Sequence, residues 1–76
     1  MPPKKKKMNK KLLIIIGNNI RENRKEKGLT QEELASKANL HRTYIGMIER
    51  AEKNLTVTNL QKIAEALEVS TGSLLD

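Results

Sequence analysis

Residues 31–50 read QEELASKANLHRTYIGMIER. Thr30 precedes them and Glu33 stands within the first turn, so a capping box opens a helix here. The Thr hydroxyl accepts an orphan backbone N–H and the Glu carboxylate reaches back to the cap. Leu34, Ala35 and Ala38 recur at helical spacing and face inward. Asn39 tolerates the left-handed conformation that ends such a helix. A second helix is predicted from Arg42 to Arg50, with Ile45 and Ile48 inward. His41 occupies its N-cap position, where it is a weaker cap than Ser, Thr or Asp. Ala35 is small where two short helices would cross closely. This is the pattern of a helix-turn-helix, whose second helix is presented outward to a major groove. Any amphipathic helical hairpin with surface arginines gives part of the same pattern.

With Ile45 and Ile48 buried, the second helix leaves Arg42, Thr43, Gly46, Met47 and Arg50 on or near its outer side. Arg42 and Thr43 lie at the N-terminal end, where base edges are reached. Arginine can bond guanine O6 and N7 together, and threonine offers a hydroxyl and a methyl. Gly46, lacking a side chain, would let DNA approach closely. Met47 suits either a thymine methyl or a cover over the core. Tyr44 can donate its hydroxyl to a phosphate while its ring packs on the body.

Around this unit the chain reads as helix throughout. A first helix is expected from about Leu13 to Lys27, with Ile16, Ile20 and Arg24 on one face and Gly28 as the left-handed stop. The β-branched run Ile14-Ile15-Ile16 is a poor helix start. After a loop at 51–55, a helix starts from Thr56 or Thr58 and carries the stripe Leu60, Ile63, Ala64 and Leu67. Ser70 caps a last short helix bearing Leu74 and Leu75. The expectation is an all-α domain of five helices over residues 12–76, preceded by a basic tail at 1–11.

Composition narrows the function. The chain has 76 residues, no Cys, one His, no Phe, no Trp and one Tyr. Thiolate zinc sites and imidazole clusters are thereby excluded, and no cofactor is expected. A sheet module that stacks bases needs several aromatics. His41 stands alone, without an acid–base or nucleophile–base partner, so an enzyme is not expected. The net charge is +6, yet residues 12–76 hold nine basic and nine acidic side chains, so the excess is the tail's Lys4, Lys5, Lys6, Lys7, Lys10 and Lys11. That tail is either a solubilising segment or an arm along DNA phosphates. The apolar run Leu12–Ile16 is stopped by Gly17-Asn18-Asn19, too short for a secretory core or a membrane span. A cytoplasmic protein without a membrane partner is expected.

The segment from Ile16 to Leu75 also resembles the phage-repressor-type helix-turn-helix family, of Cro and lambda-repressor-like fold. The shared elements are TQEELA, then Y-I-x-x-I-E-R, then L-x-x-I-A-x-A-L. More narrowly, Asn39–Thr56, with its RTY and NLT elements, resembles the controller proteins of restriction–modification systems. The resemblance implies a small homodimer that binds a double-stranded DNA operator upstream of its own gene, activating at low occupancy and repressing at high. By matching position it implies phosphate contacts for Gln31 and Arg50. Arg42, Thr43 and position 46 would face bases, and Tyr44, Lys53 and Asn54 would contact the backbone. Arg24 and Glu49 match an ion pair between the first and third helices. Glu32 and Glu33 serve capping and the helix dipole, or an acidic patch that touches RNA polymerase.

The sequence departs from the family at Asn39, usually Gly, at His41, at Asn23, usually apolar, and at Gly46, which deletes a possible base contact. A homodimer is also expected from the small core and from exposed Leu74 and Leu75. The rival readings are an antitoxin, a phage-type repressor, and a protein-interaction module.

Overall fold

The computed structural model describes residues 9–76. Asn9 opens the first helix, α1 (Lys10–Glu26), by accepting the Lys11 N–H at 2.7 Å. The helix therefore starts before the expected Leu13. An asparagine cap and the inward packing of Leu13, Ile16 and Ile20 outweigh the low propensity of the β-branched run. Lys10 and Lys11, read as tail, form its first turn. The two readings of Lys4–Lys7 lie outside the described residues. Gly28 takes φ 69° beyond the end of α1.

The next two helices are α2 (Gln31–Ala38) and α3 (Arg42–Glu49). Both bonds of the capping box are made: Glu33 N–H to Thr30 Oγ1 at 3.0 Å, and Thr30 N–H to Glu33 Oε1 at 2.8 Å. Asn39 ends α2 at φ 58°, and the Leu40 N–H closes the turn on Ala35 O at 2.8 Å. The fourth helix, α4 (Val57–Leu67), is capped by Thr56, whose Oγ1 accepts from Asn59 N–H at 3.1 Å.

The expected fifth helix is a correction. Residues 72–74 make only a single 3-10 turn, so the described residues form four α-helices. Ser73 N–H donates to Ser70 Oγ at 3.2 Å, but Thr71 rather than Ser70 takes the N-cap position of the turn, which ends at Leu74. Leu74, expected to be exposed, is completely buried; Leu75 alone of the two faces solvent. The Asn19 amide fixes this end by donating to Leu74 O and Asp76 O, both at 2.9 Å.

Ile16, Ile20, Leu34, Ile45, Ile63, Leu67 and Leu74 form the fully buried centre. Each such side chain contributes roughly 1.5–3 kcal/mol on burial. The centre draws from all four helices and the final turn, so no helix is dispensable. Asn23 does not open a gap. It is half-buried and donates to Asn19 O at 2.8 Å. Gly17, which the sequence offers only as an end to an apolar run, is buried where α1 crosses α3. A methyl at that position would stand 2.5 Å from Ile48 O and 2.9 Å from Glu49 O. The first helix thus rests directly on the backbone at the C-terminal end of α3. Among the described residues no helix is long and apolar enough to cross a membrane.

Candidate nucleic-acid interface

The outer side of α3 is fixed from both ends. At its start, His41 Nδ1 accepts the Thr43 N–H at 3.0 Å, so the histidine does act as the cap. At its end, Ala51 takes φ 58° and its N–H reaches Ile48 O at 3.0 Å, while Glu52 N–H reaches Met47 O at 2.8 Å. These two bonds are those of a Schellman turn. Lys10, from the first turn of α1, adds a donor by placing Nζ 2.6 Å from Ala51 O. A cation at the negative end of a helix is favourable.

Between these ends, Arg42 and Thr43 are exposed, Tyr44 and Met47 are half-buried, and Ile45 and Ile48 face the core. The Arg42 guanidinium lies 3.7 Å from Glu32 of α2, a loose pair in which both side chains are mostly in solvent. Such a pair contributes little to stability and leaves Arg42 free to be drawn elsewhere. The Tyr44 ring packs against the core, and its hydroxyl oxygen accepts from Asn59 Nδ2 at 3.1 Å. The hydroxyl hydrogen is not used in that bond and remains a donor. Lys53 and Asn54 are exposed in the loop that follows α3.

Gly46, expected on or near the outer side of the helix, is covered by its neighbours: it is buried. A β-carbon there would lie 3.1 Å from Arg50 Nη1, 3.5 Å from Gln31 Oε1 and 3.7 Å from Arg50 Nη2. The guanidinium of Arg50 folds back one turn over the glycine and comes beside the amide of Gln31. The missing side chain makes room for a neighbour of the protein itself.

Gln31 is held from below. Its Nε2 donates to Glu49 Oε1 at 3.0 Å. Glu49, almost fully buried, also accepts from Arg24 Nε at 2.7 Å and Nη2 at 3.1 Å, while Arg24 Nη1 donates to Leu29 O at 2.8 Å. Two cation-to-carboxylate bonds and one amide bond keep this buried charge satisfied, and the network joins α1, α2 and α3. The expected Arg24–Glu49 pair is present, and it also orients the first residue of α2.

Three sets of residues were not singled out by the sequence. Arg21 and Lys25 of α1 border the same shallow depression as Gln31, Glu49 and Arg50, bringing further cations there. They lie one turn apart on α1, a spacing that was available but pointed at nothing without the position of α2. Asn59 on α4 positions Tyr44 from a distance in sequence that no local pattern reports. Glu52 pairs with Arg50, Nε to Oε2 at 3.0 Å. The mutual hydrogen bond raises the Arg50 guanidinium above its ordinary value and lowers the Glu52 carboxyl below its own. Residues two apart do not meet on a helix; the left-handed Ala51 folds the chain so that these do.

Known proteins share this fold. Residues 20–74 match the helix-turn-helix family model. The control protein C.SmaI of Serratia marcescens is 46% identical over 60 residues, covering 79% of this chain and 71% of that protein. The restriction–modification controller C.AhdI of Aeromonas hydrophila superposes with a TM-score of 0.80 at 40% identity, covering 82% of this chain and 94% of that one. The biofilm master regulator SinR, in its complex with DNA, superposes with a TM-score of 0.77 at 42% identity, over 80% of this chain and 98% of the chain in that complex. These relatives are regulators and control proteins rather than enzymes. The chain belongs to the helix-turn-helix family of transcription regulators, and within that family it is similar to the controllers of restriction–modification systems.

Proposed function

We propose that the protein is a sequence-specific DNA-binding regulator that acts as a homodimer on the operator of its own gene, as a restriction–modification controller. The observation that carries this reading is the pairing of an exposed α3 N-terminus, bearing Arg42 and Thr43, with the Arg50 guanidinium, seated over Gly46 next to the Gln31 side chain. Arg42 and Thr43 read base edges, and Met47 borders them. Gln31, Tyr44, Arg50, Lys53 and Asn54 hold phosphates, with Arg21 and Lys25 at the edge of the same depression.

Two such α3 helices about 34 Å apart meet successive major grooves of a partly palindromic site. A dimer is supported by an apolar groove bordered by Leu12, Val57, Leu60, Ala64, Val69 and Leu75. Val57 and Leu75 are 74% and 40% exposed there. Glu33 is used by the capping box, whereas Glu32 is exposed and only loosely paired. Glu32 is therefore the residue of that turn suited to RNA polymerase. Glu32→Lys should keep operator binding and lose activation in a reporter assay; equal loss of both would reject the contact.

The test of the main reading is selection of a duplex from a randomised pool, followed by footprinting. A protected site with two related half-sites supports it. Retention of no sequence above background contradicts it.

A further inference from the structure

We propose that Glu52 governs sequence discrimination by serving as the internal counter-ion of Arg50, which it releases only to a DNA phosphate held in the correct register. The proposal rests on the reading of Arg50 as a phosphate ligand.

The pair lies on the surface, with side chains 56% and 51% exposed, and the backbone at both of its ends is set by a turn. Both residues belong to the turn that closes α3, and the Glu52 backbone is tied to Met47 O at 2.8 Å. Ala51 between them is buried, and its carbonyl is fixed by Lys10 Nζ at 2.6 Å. The Arg50 Nη atoms lie over Gly46, on the side where Gln31 places its Oε1. Glu52 Oε2 thus stands 3.0 Å from Nε, while the Nη groups lie over Gly46. The shifted titrations of both groups, each caused first by the hydrogen bond to the other, agree with a formed pair. Arg42 and Glu32, by contrast, stand 3.7 Å apart with no such turn between them.

The consequence follows from exchange. A phosphate in direct hydrogen-bond range replaces one anion by another, so the registered complex loses little. A phosphate held loosely, as in sequence-independent binding, acts through long-range charge, and an Arg50 already neutralised by Glu52 adds little to that attraction. Glu52 therefore weakens binding to the wrong sequence more than binding to the right one. It is a positioning residue, acting through Arg50.

The experiment compares four full-length proteins: wild type, Glu52→Gln, Arg50→Gln and the double variant. Each is titrated against a duplex selected by the wild type from a randomised pool and against a scrambled duplex of equal length. Thermal melts confirm folding, which an exposed substitution should preserve. Glu52→Gln is expected to tighten scrambled binding by about three- to fivefold and selected binding by less than about twofold, the scale of an exposed ion pair. In the Arg50→Gln background the same substitution should change neither. Equal gains on both duplexes, no gain on the scrambled one, or a gain that survives without Arg50 would overturn the proposal. Arg50→Gln alone is expected to weaken both duplexes and to lower the salt slope by about one. If it does neither, the phosphate role of Arg50 fails, a result distinct from failure of the Glu52 claim.

Discussion

An alanine at position 46 should help the helix and harm the surface built on it. Glycine inside a helix costs about 1 kcal/mol relative to alanine. Gly46→Ala is therefore expected to raise the melting temperature by roughly 4–8 °C, since the methyl meets the movable end of Arg50 rather than backbone. The same methyl, 3.1 Å from Arg50 Nη1, shifts the guanidinium away from Gln31 and weakens DNA binding. In an Arg50→Ala background the binding loss should vanish while the gain in stability remains. A loss that persists would mean that the glycine serves DNA directly. Arg42→Ala should cost about 1–3 kcal/mol of operator binding and relax one base preference. Unchanged affinity across all base variants would remove Arg42 from base readout. At this scale the sequence was legible where a residue's role depends on its own helix, as with the Thr30–Glu33 box, Asn39 and His41. It was not legible at Gly46 or Glu52, because a helical wheel shows which side a residue faces but not which neighbour folds over it.

Among the elements, the close contact of α1 with α3 sets the position of the outward surface. Gly17→Ala would force a methyl to 2.5 Å from a backbone oxygen that cannot rotate away. Overpacking of this kind typically costs 1–3 kcal/mol, and about the upper end is expected here in a denaturant titration. A neutral result would mean that α1 can slide. Arg24→Ala leaves Glu49 buried with only Gln31 as a partner, and removal of one member of such a pair costs about 3–5 kcal/mol. For a domain of this size that is a large share of the total stability. The existence of four helices follows from apolar period and capping residues. The start of α1 and the missing fifth helix do not: tertiary packing overrode local propensity in one, and residues 72–74 close as a single 3-10 turn in the other.

For the whole molecule, burial of Leu74 removes one of the reasons for expecting a dimer, while the groove that includes Val57 and Leu75 supplies another. Light scattering at tens of micromolar should give the dimer mass, and Val57→Glu, at an exposed position, should shift it towards monomer without lowering helicity. A monomer at all concentrations, with and without DNA, would contradict the dimer. The most direct test of the central claim is a titration of the DNA immediately upstream of the gene that encodes this chain, beside a scrambled duplex, at several salt concentrations. The prediction is tight, stepwise binding with a clear preference over the scrambled duplex, falling by about 10³–10⁵ in affinity between 50 and 200 mM salt. Equal affinity for both duplexes would contradict an autoregulating, operator-specific controller.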